Sequence, residues 1–283
     1  MTQTYKQFLL CANNTIKITY ICAMDDSSIT NHILSLENYL PGQSVDCVII
    51  GYKNHELQTL VLKWRNLNVW SLPGGFVLRD EDLNKAATRV LRDRTGLRFP
   101  YLDQFYTFGN KDRRSAEVDW EPFAALGVDV ETMENWLDQR FITTGYFALV
   151  DINECKPQPD FLSDLCEWKP IRELPELILD HHHIIQKALN HIKIQINYLP
   201  VGLSLLPELF TMKELQKLYE AILDKELDRG NFQRKMLKLG IFIRQEKQLT
   251  GAANKAPYLY KFDKIKYKQV LENGIGTVSL KND

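Results

Sequence analysis

The sequence predicts an α+β fold in two domains, on three observations. A strand, glycine-rich turn and helix occupy the middle of the chain, β-like runs lie on both sides of them, and a basic helix–helix–strand–strand tail follows. At 283 residues the chain exceeds one typical domain and suits two. Apolar residues make up 45% and charged residues 25% of it, which excludes disordered, collagen-like and low-complexity classes. No apolar run approaches the roughly 18 residues of a membrane span, and Met1 to Leu10 has neither a basic segment nor a long apolar one. A cytoplasmic protein with no membrane partner is expected.

Residues 1–44 hold an alternating segment, Ile16 to Cys22, and a predicted helix from Ser28 to Leu40 stopped by Pro41-Gly42; no role is assigned to this extension. A first domain is placed at 45–175. It opens with the strand run Val45 to Tyr52 and, after a polar turn, Thr59 to Trp64, the pattern of a hairpin. Trp70 to Val77 enters a Pro73-Gly74-Gly75 turn. Then Leu83, Ala86, Ala87, Val90 and Leu91 mark a helix over Asp82 to Thr95, with Gly96 as its left-handed cap. Strands follow at Gln104 to Phe108 and Gly145 to Val150. The insert between them, Arg113 to Thr144, carries a short helix at Glu131 to Phe141.

A linker helix is predicted at Ile178 to Ile196, within 176–199, ending before Tyr198-Leu199-Pro200. Its His181-His182-His183 run is no metal site, because successive helical residues point about 100° apart. The cysteines Cys11, Cys22, Cys47, Cys155 and Cys166 are odd in number and far apart, which reads as structural thiols in a reducing compartment. No metal or cofactor is expected.

The second domain is placed at 200–283. Thr211 and Glu214 make a capping box for a helix carrying Met212, Leu215, Leu218, Tyr219 and Ile222 on one face. A second helix spans Asp228 to Leu239, with Phe232, Met236 and Leu239 inward, Asn231, Arg234 and Lys238 outward and Lys235 at the edge. Ile241 to Arg244 and Tyr258 to Phe262 read as the strands of a wing. From Pro200 onward there are 15 Lys+Arg against 10 Asp+Glu, whereas residues 1–199 carry 20 against 26. Within 228–268 the balance is 11 against 3, the footprint of a nucleic-acid-binding module. The same architecture also occurs in protein-docking modules, but these favour an apolar stripe over a basic face.

Gly75 to Leu97 resembles the Nudix box, a 23-residue pattern in which Gly75, Glu81, Arg89, Leu91, Gly96 and Leu97 fall on the expected positions. The resemblance implies a Nudix-type α/β/α sandwich. In that family three carboxylates on the helix hold Mg²⁺ or Mn²⁺ against a pyrophosphate. Here those positions are Val90, Asp93 and Arg94, and a guanidinium repels a cation. Metal-dependent hydrolysis is therefore not expected. An alternative hydrolase would recruit Glu81, Asp93 and a distant acid such as Glu117 or Asp119.

The runs Leu209 to Gln216, Tyr219 to Leu223 and Leu227 to Leu237, with Phe105 to Gly109 and the Asp180-His181 linker, resemble the Nudix-related transcriptional regulators, in which a winged helix-turn-helix domain follows the sandwich. That resemblance implies a homodimeric, ligand-responsive regulator, in most cases a repressor, on a palindromic double-stranded operator. Its small-molecule effector would be an ADP-ribose-like metabolite, a pentose or a sugar phosphate. Asn110-Lys111-Asp112-Arg113-Arg114 departs from the ADP-ribose type, which favours a regulator of sugar metabolism. Lys63, Arg65, Phe76 and Tyr146 are the candidate effector contacts. Arg229, Asn231, Arg234, Lys235, Lys238, Lys247, Lys255 and Lys261 are the candidate DNA contacts.

Overall fold

The computed structural model describes residues 36–65, 67–97, 101–113, 130–160, 162–197, 200, 205–248 and 256–273. The apolar run near position 45 is the centre of a long strand, β1 (Tyr39–Lys53), buried from Ser44 to Gly51. Such a run lacks strict alternation because both faces of the strand are covered. Asn54 and His55, with φ of 53° and 65°, turn the chain into β2 (Glu56–Trp64). Two left-handed residues match the twist of a tight hairpin.

β3 (Trp70–Ser71), β4 (Gly74–Leu78), β5 (Tyr101–Phe108), β6 (Ile142–Leu149) and β7 (Ser163–Pro170) complete a seven-stranded mixed sheet. Its order is β3-β2-β1-β6-β5, with β4 added to β1 and β7 to β2. β1 and β6 pair in parallel, and the other strand pairs described in this sheet are antiparallel. β1 forks: Tyr39 to Asp46 pairs with β4, and Ile50 to Lys53 pairs with β2. The fork leaves a gap that becomes a cavity.

Alternation along the strands sends Val45, Cys47, Ile49, Tyr146 and Ala148 toward α1 (Leu83–Thr95), where they meet Ala86, Ala87, Val90 and Leu91. Val48, Ile50, Phe147 and Leu149 face the other way, onto Ile184, Ile185, Ala188 and Ile192 of α3 (His181–Gln195). A helix on each face gives the expected sandwich. α2 (Val130–Leu137) lies outside it and buries Met133.

The second domain consists of β8 (Phe210–Thr211), α4 (Met212–Leu223), α5 (Arg229–Lys238), β9 (Phe242–Lys247), β10 (Tyr258–Phe262) and α6 (Lys264–Asn273). The three strands form a sheet in the order β8-β10-β9. The capping box is present: the Glu214 amide donates to Thr211 Oγ1 at 3.2 Å, and the Thr211 amide to Glu214 Oε2 at 2.6 Å. Glu220 Oε1 accepts from the Leu227 amide at 3.1 Å and thereby fixes the turn between α4 and α5. α3 packs on β5 and β6 and also on α4, so the apolar cluster beneath it runs without a break into Phe210, Leu215, Leu218 and Phe262.

Several boundaries differ from the expectation. In the described part of the helix expected from Ser28 to Leu40, Leu36–Asn38 is a 3-10 turn and the strand begins at Tyr39. Pro41-Gly42 is therefore not a helix stop. Gly42 has φ 68°, and the pairing with β4 shifts register between Tyr39 and Ser44. β1 advances five residues there while β4 advances two, an enlarged bulge whose extra residues bend the strand. Ile16 to Cys22 and residues 28–35 lie outside the described residues. α3 starts at His181 because Leu179 has φ 53°, which no α-helix tolerates. The helix in the insert ends at Leu137 rather than Phe141. β7 and α6 are additional to the expected elements. Cys47, Cys155 and Cys166 are free thiols, and Cys11 and Cys22 lie outside the described residues. Among the described residues no helix is long and apolar enough to cross a membrane.

Candidate effector cavity and nucleic-acid interface

At the fork of the sheet lies a cavity of about 170 Å³. β1 supplies Ser44 and Asp46, β2 supplies Leu62 and Trp64, and β4 supplies Gly74, Gly75 and Phe76. Phe141, Met133 and Leu137 close the side nearest α2, and His181 stands at the start of α3. Phe76 stacks against Phe141 with centroids 5.2 Å apart. Gly74 is required here, since a Cβ would lie 2.5 Å from Asp46 Oδ1 and 3.0 Å from the Val45 carbonyl.

The polar wall is a buried ion network. The Arg113 guanidinium, 4% exposed, donates to Asp46 Oδ2 at 3.1 Å, to Asp180 Oδ1 at 2.9 Å and to the Phe141 carbonyl at 3.3 Å. Three acceptors from β1, the start of α3 and the edge of the insert thus converge on one side chain. His181 Nδ1 accepts from the Leu72 amide at 2.9 Å, which puts the ring proton on Nε2, 3.8 Å from Asp46 Oδ1. Burial holds the His181 pKa below its ordinary value, and nearby Asp46 offsets only part of this. The three consecutive histidines diverge: His182 Nε2 accepts from the Leu177 amide, and His183 packs edge-on against Phe108.

A second cavity, also about 170 Å³, adjoins the first across Gly75, Phe76 and Met133. It lies over the box helix and is bordered by Arg89, Val90, Asp93 and Arg94. Val90 is 2% exposed and packs in the core, and a Cβ on Gly75 would meet its Cγ2 at 3.0 Å. Glu81 is paired with Arg89 in a two-pronged ion pair that also reaches the Phe76 carbonyl. Although burial raises the Glu81 pKa, the hydrogen bonds from Arg89 and the Leu78 amide outweigh it and hold the carboxyl below its usual range. Arg94 lies 3.5 Å from Asp160 and donates to the Pro159 carbonyl. Among the described residues no three His, Cys, Asp or Glu side chains gather as a metal site, and Glu117 and Asp119 lie outside them.

Of the four candidate effector contacts, the structure brings only Phe76 to the fork cavity. Tyr146 is one residue out of phase with Phe147, so its ring turns toward α1 and its hydroxyl donates to Asn84 Oδ1 at 2.8 Å. Lys63 stands opposite Trp70, on the strand face away from Leu62 and Trp64. The Arg65 amide ties to the Leu162 carbonyl, and its side chain does not border the cavity. Asp46, Arg113 and His181 were not foreseen. An aspartate inside an apolar strand run was the one available signal, because an acid is rarely buried without a partner.

On the second domain, Phe232, Met236 and Leu239 are buried, and Arg229, Asn231, Arg234, Lys235 and Lys238 are all exposed. Asp228 caps α5 by accepting from the Asn231 amide at 2.8 Å, and Arg234 donates to Asn231 Oδ1 at 2.6 Å. Lys247 is exposed on β9 and Lys261 half-buried on β10; Lys255 lies outside the described residues. The wing also presents Arg244, which the expectation omitted. Its guanidinium carbon lies 3.3 Å from the centre of the Tyr258 ring.

Residues 202–262 match the family model described as the NrtR DNA-binding winged helix domain. The chain is 31% identical over 229 residues to the ADPR responsive transcriptional repressor NtrR of Acinetobacter baylyi, covering 78% of this chain and 82% of that protein. The chain belongs to the NrtR family of Nudix-related transcriptional regulators. As a member it is a ligand-responsive, DNA-binding transcriptional regulator with a Nudix-type sensing domain. It is also similar to Shewanella oneidensis NrtR, solved with a 27mer DNA, at 26% identity and a TM-score of 0.61 over 80% of this chain and 95% of that one. A MutT/nudix family protein from Enterococcus faecalis shares the fold, at 21% identity and a TM-score of 0.56 over 86% and 95%.

Proposed function

We propose that the chain is a non-catalytic, homodimeric repressor that holds a palindromic operator through α5 and the wing, and that an effector in the fork cavity lowers that affinity. The observation that carries the effector reading is the cavity itself, which joins aromatic rings, Phe76, Phe141 and Trp64, to a buried polar wall, Asp46 and Arg113. Rings pack on the C–H faces of a sugar, and buried carboxylate and guanidinium groups order its hydroxyls. At about 170 Å³ the cavity is below the roughly 300 Å³ at which pockets begin to hold larger ligands. Its carboxylates, Asp46 and Asp160, disfavour a phosphate. A pentose-sized neutral sugar fits these constraints.

A second reading is favoured by the adjoining cavity over the box helix and by the ADP-ribose response named for the Acinetobacter baylyi relative. In that reading an ADP-ribose-like metabolite spans both cavities. Thermal unfolding with L-arabinose, D-xylose, D-ribose and ADP-ribose separates the two, because a ligand of the native state raises its stability by mass action. A pentose shift lost in Asp46→Asn and Phe76→Ala supports the first reading. A shift with ADP-ribose alone replaces it with the second.

The non-catalytic reading is supported by Val90, an apolar and nearly buried side chain in the wall of the second cavity, and by Arg94, which is paired with Asp160. Incubation of ADP-ribose with the protein and Mg²⁺ or Mn²⁺ should release no AMP. Turnover on the order of 1 per second would sink this part of the proposal.

A further inference from the structure

We propose that Arg244, with Lys247, is a backbone-phosphate contact built into the wing and held in place by Tyr258, separate from the outward face of α5. The observation behind it is a fault in the wing ladder. Tyr260 pairs with Arg244 and Tyr258 with Lys247, so β9 advances three residues where β10 advances two. A regular ladder would set Glu246 opposite Tyr258, beside Arg244 on the same face, and the two charges would offset each other. The extra residue on β9 places Lys247 there instead. A bulge re-aims side chains in this way, and here it exchanges an anion for a cation.

The result is a cationic pair on one ring. The Arg244 guanidinium lies 3.3 Å and Lys247 Nζ 5.2 Å from the centre of Tyr258. No carboxylate pairs with either cation among the described residues. A guanidinium held near an aromatic face has lost much of its rotamer freedom while its N–H groups stay available, an arrangement suited to a phosphate. Tyr258 also lines a groove shared with Arg229 and Gln233 at the start of α5 and Lys213 of α4. The cations therefore flank the approach to the helix expected to enter the major groove. A polyanionic strand running between α5 and the wing meets them on both sides.

This inference rests on the DNA-binding reading. The test is duplex binding over a salt series, using a genomic fragment selected by the wild-type protein and a random duplex of equal length. Arg244→Gln should weaken both by the same factor, roughly three- to ten-fold, and flatten the salt slope by about one. Tyr258→Leu should reproduce part of the loss and Tyr258→Phe, which keeps the ring, very little. Unchanged thermal midpoints will confirm that the variants are folded. Unaltered binding by Arg244→Gln would overturn the contact, and so would a loss confined to the selected fragment, which would make Arg244 a base reader. A wild-type protein that binds neither duplex would overturn the DNA-binding reading and the contact together.

Discussion

The fork cavity and the surface of α5 and the wing treat charge in opposite ways. At the fork cavity Asp46 and Arg113 are nearly inaccessible and bonded to each other beside the buried His181 ring, whereas on α5 and the wing Arg234, Lys238 and Lys247 stand in solvent. Buried charges resist rearrangement because each has given up its water and must keep its partner. Exposed cations hold little structure and act through a field that salt screens. The same residue types therefore serve shape in one place and attraction in the other.

The comparison can be broken most directly at Arg113. Arg113→Ala leaves Asp46 and Asp180 facing a void, and should lower stability by roughly 3–5 kcal/mol, read from the urea midpoint. A loss within about 0.5 kcal/mol, the range of an ordinary surface change, would show that the network is not structural. Arg234→Ala should do the reverse. It should cost about 1–3 kcal/mol of operator affinity, with relaxed base preference, and leave the urea midpoint unmoved.

The pH dependence follows from His181. Burial depresses its folded pKa, so near neutrality it is uncharged in both states, and below about 6.5 the unfolded chain binds the proton first. The stability present above that pH is lost as pH falls through it, at up to about 1.4 kcal/mol per pH unit, until the folded pKa is reached. Urea midpoints between pH 7.5 and 5.5 would show the slope, which should shrink in His181→Gln. A slope unchanged by that substitution would assign it to another group. The smallest effect is expected at Arg172 and Asp224, an ion pair between the two domains in which both side chains are largely exposed. Despite its close geometry, Arg172→Ala should cost under about 1 kcal/mol.

Features fixed by local spacing are legible in the sequence. The box from Gly75 to Leu97, the Thr211 capping box and the inward face of α5 depend on residues within a few turns of each other, and all three stand as expected. The cavity was less legible. Arg113 meets Asp46 and Asp180, each 67 positions away, and no periodicity reports a pairing of that range. Tyr146 faces α1 while Phe147 faces α3, and one step of strand alternation reverses a side chain completely. Pro41-Gly42 misled because a helix stop and a strand bulge use the same residues. Arg244 was missed because its surroundings depend on one unpaired residue in β9.

The apolar cluster shared by α3, the large sheet and the second domain has a calorimetric consequence. Phe147, Ile192 and Leu218 belong to one uninterrupted core. Domains tied by small polar interfaces melt independently, but two that share a core lose it together. Heating should give a single endotherm whose van 't Hoff and calorimetric enthalpies agree. A substitution such as Leu218→Ala, on the DNA-binding side, should move the melting of the sensing domain by the same number of degrees as its own.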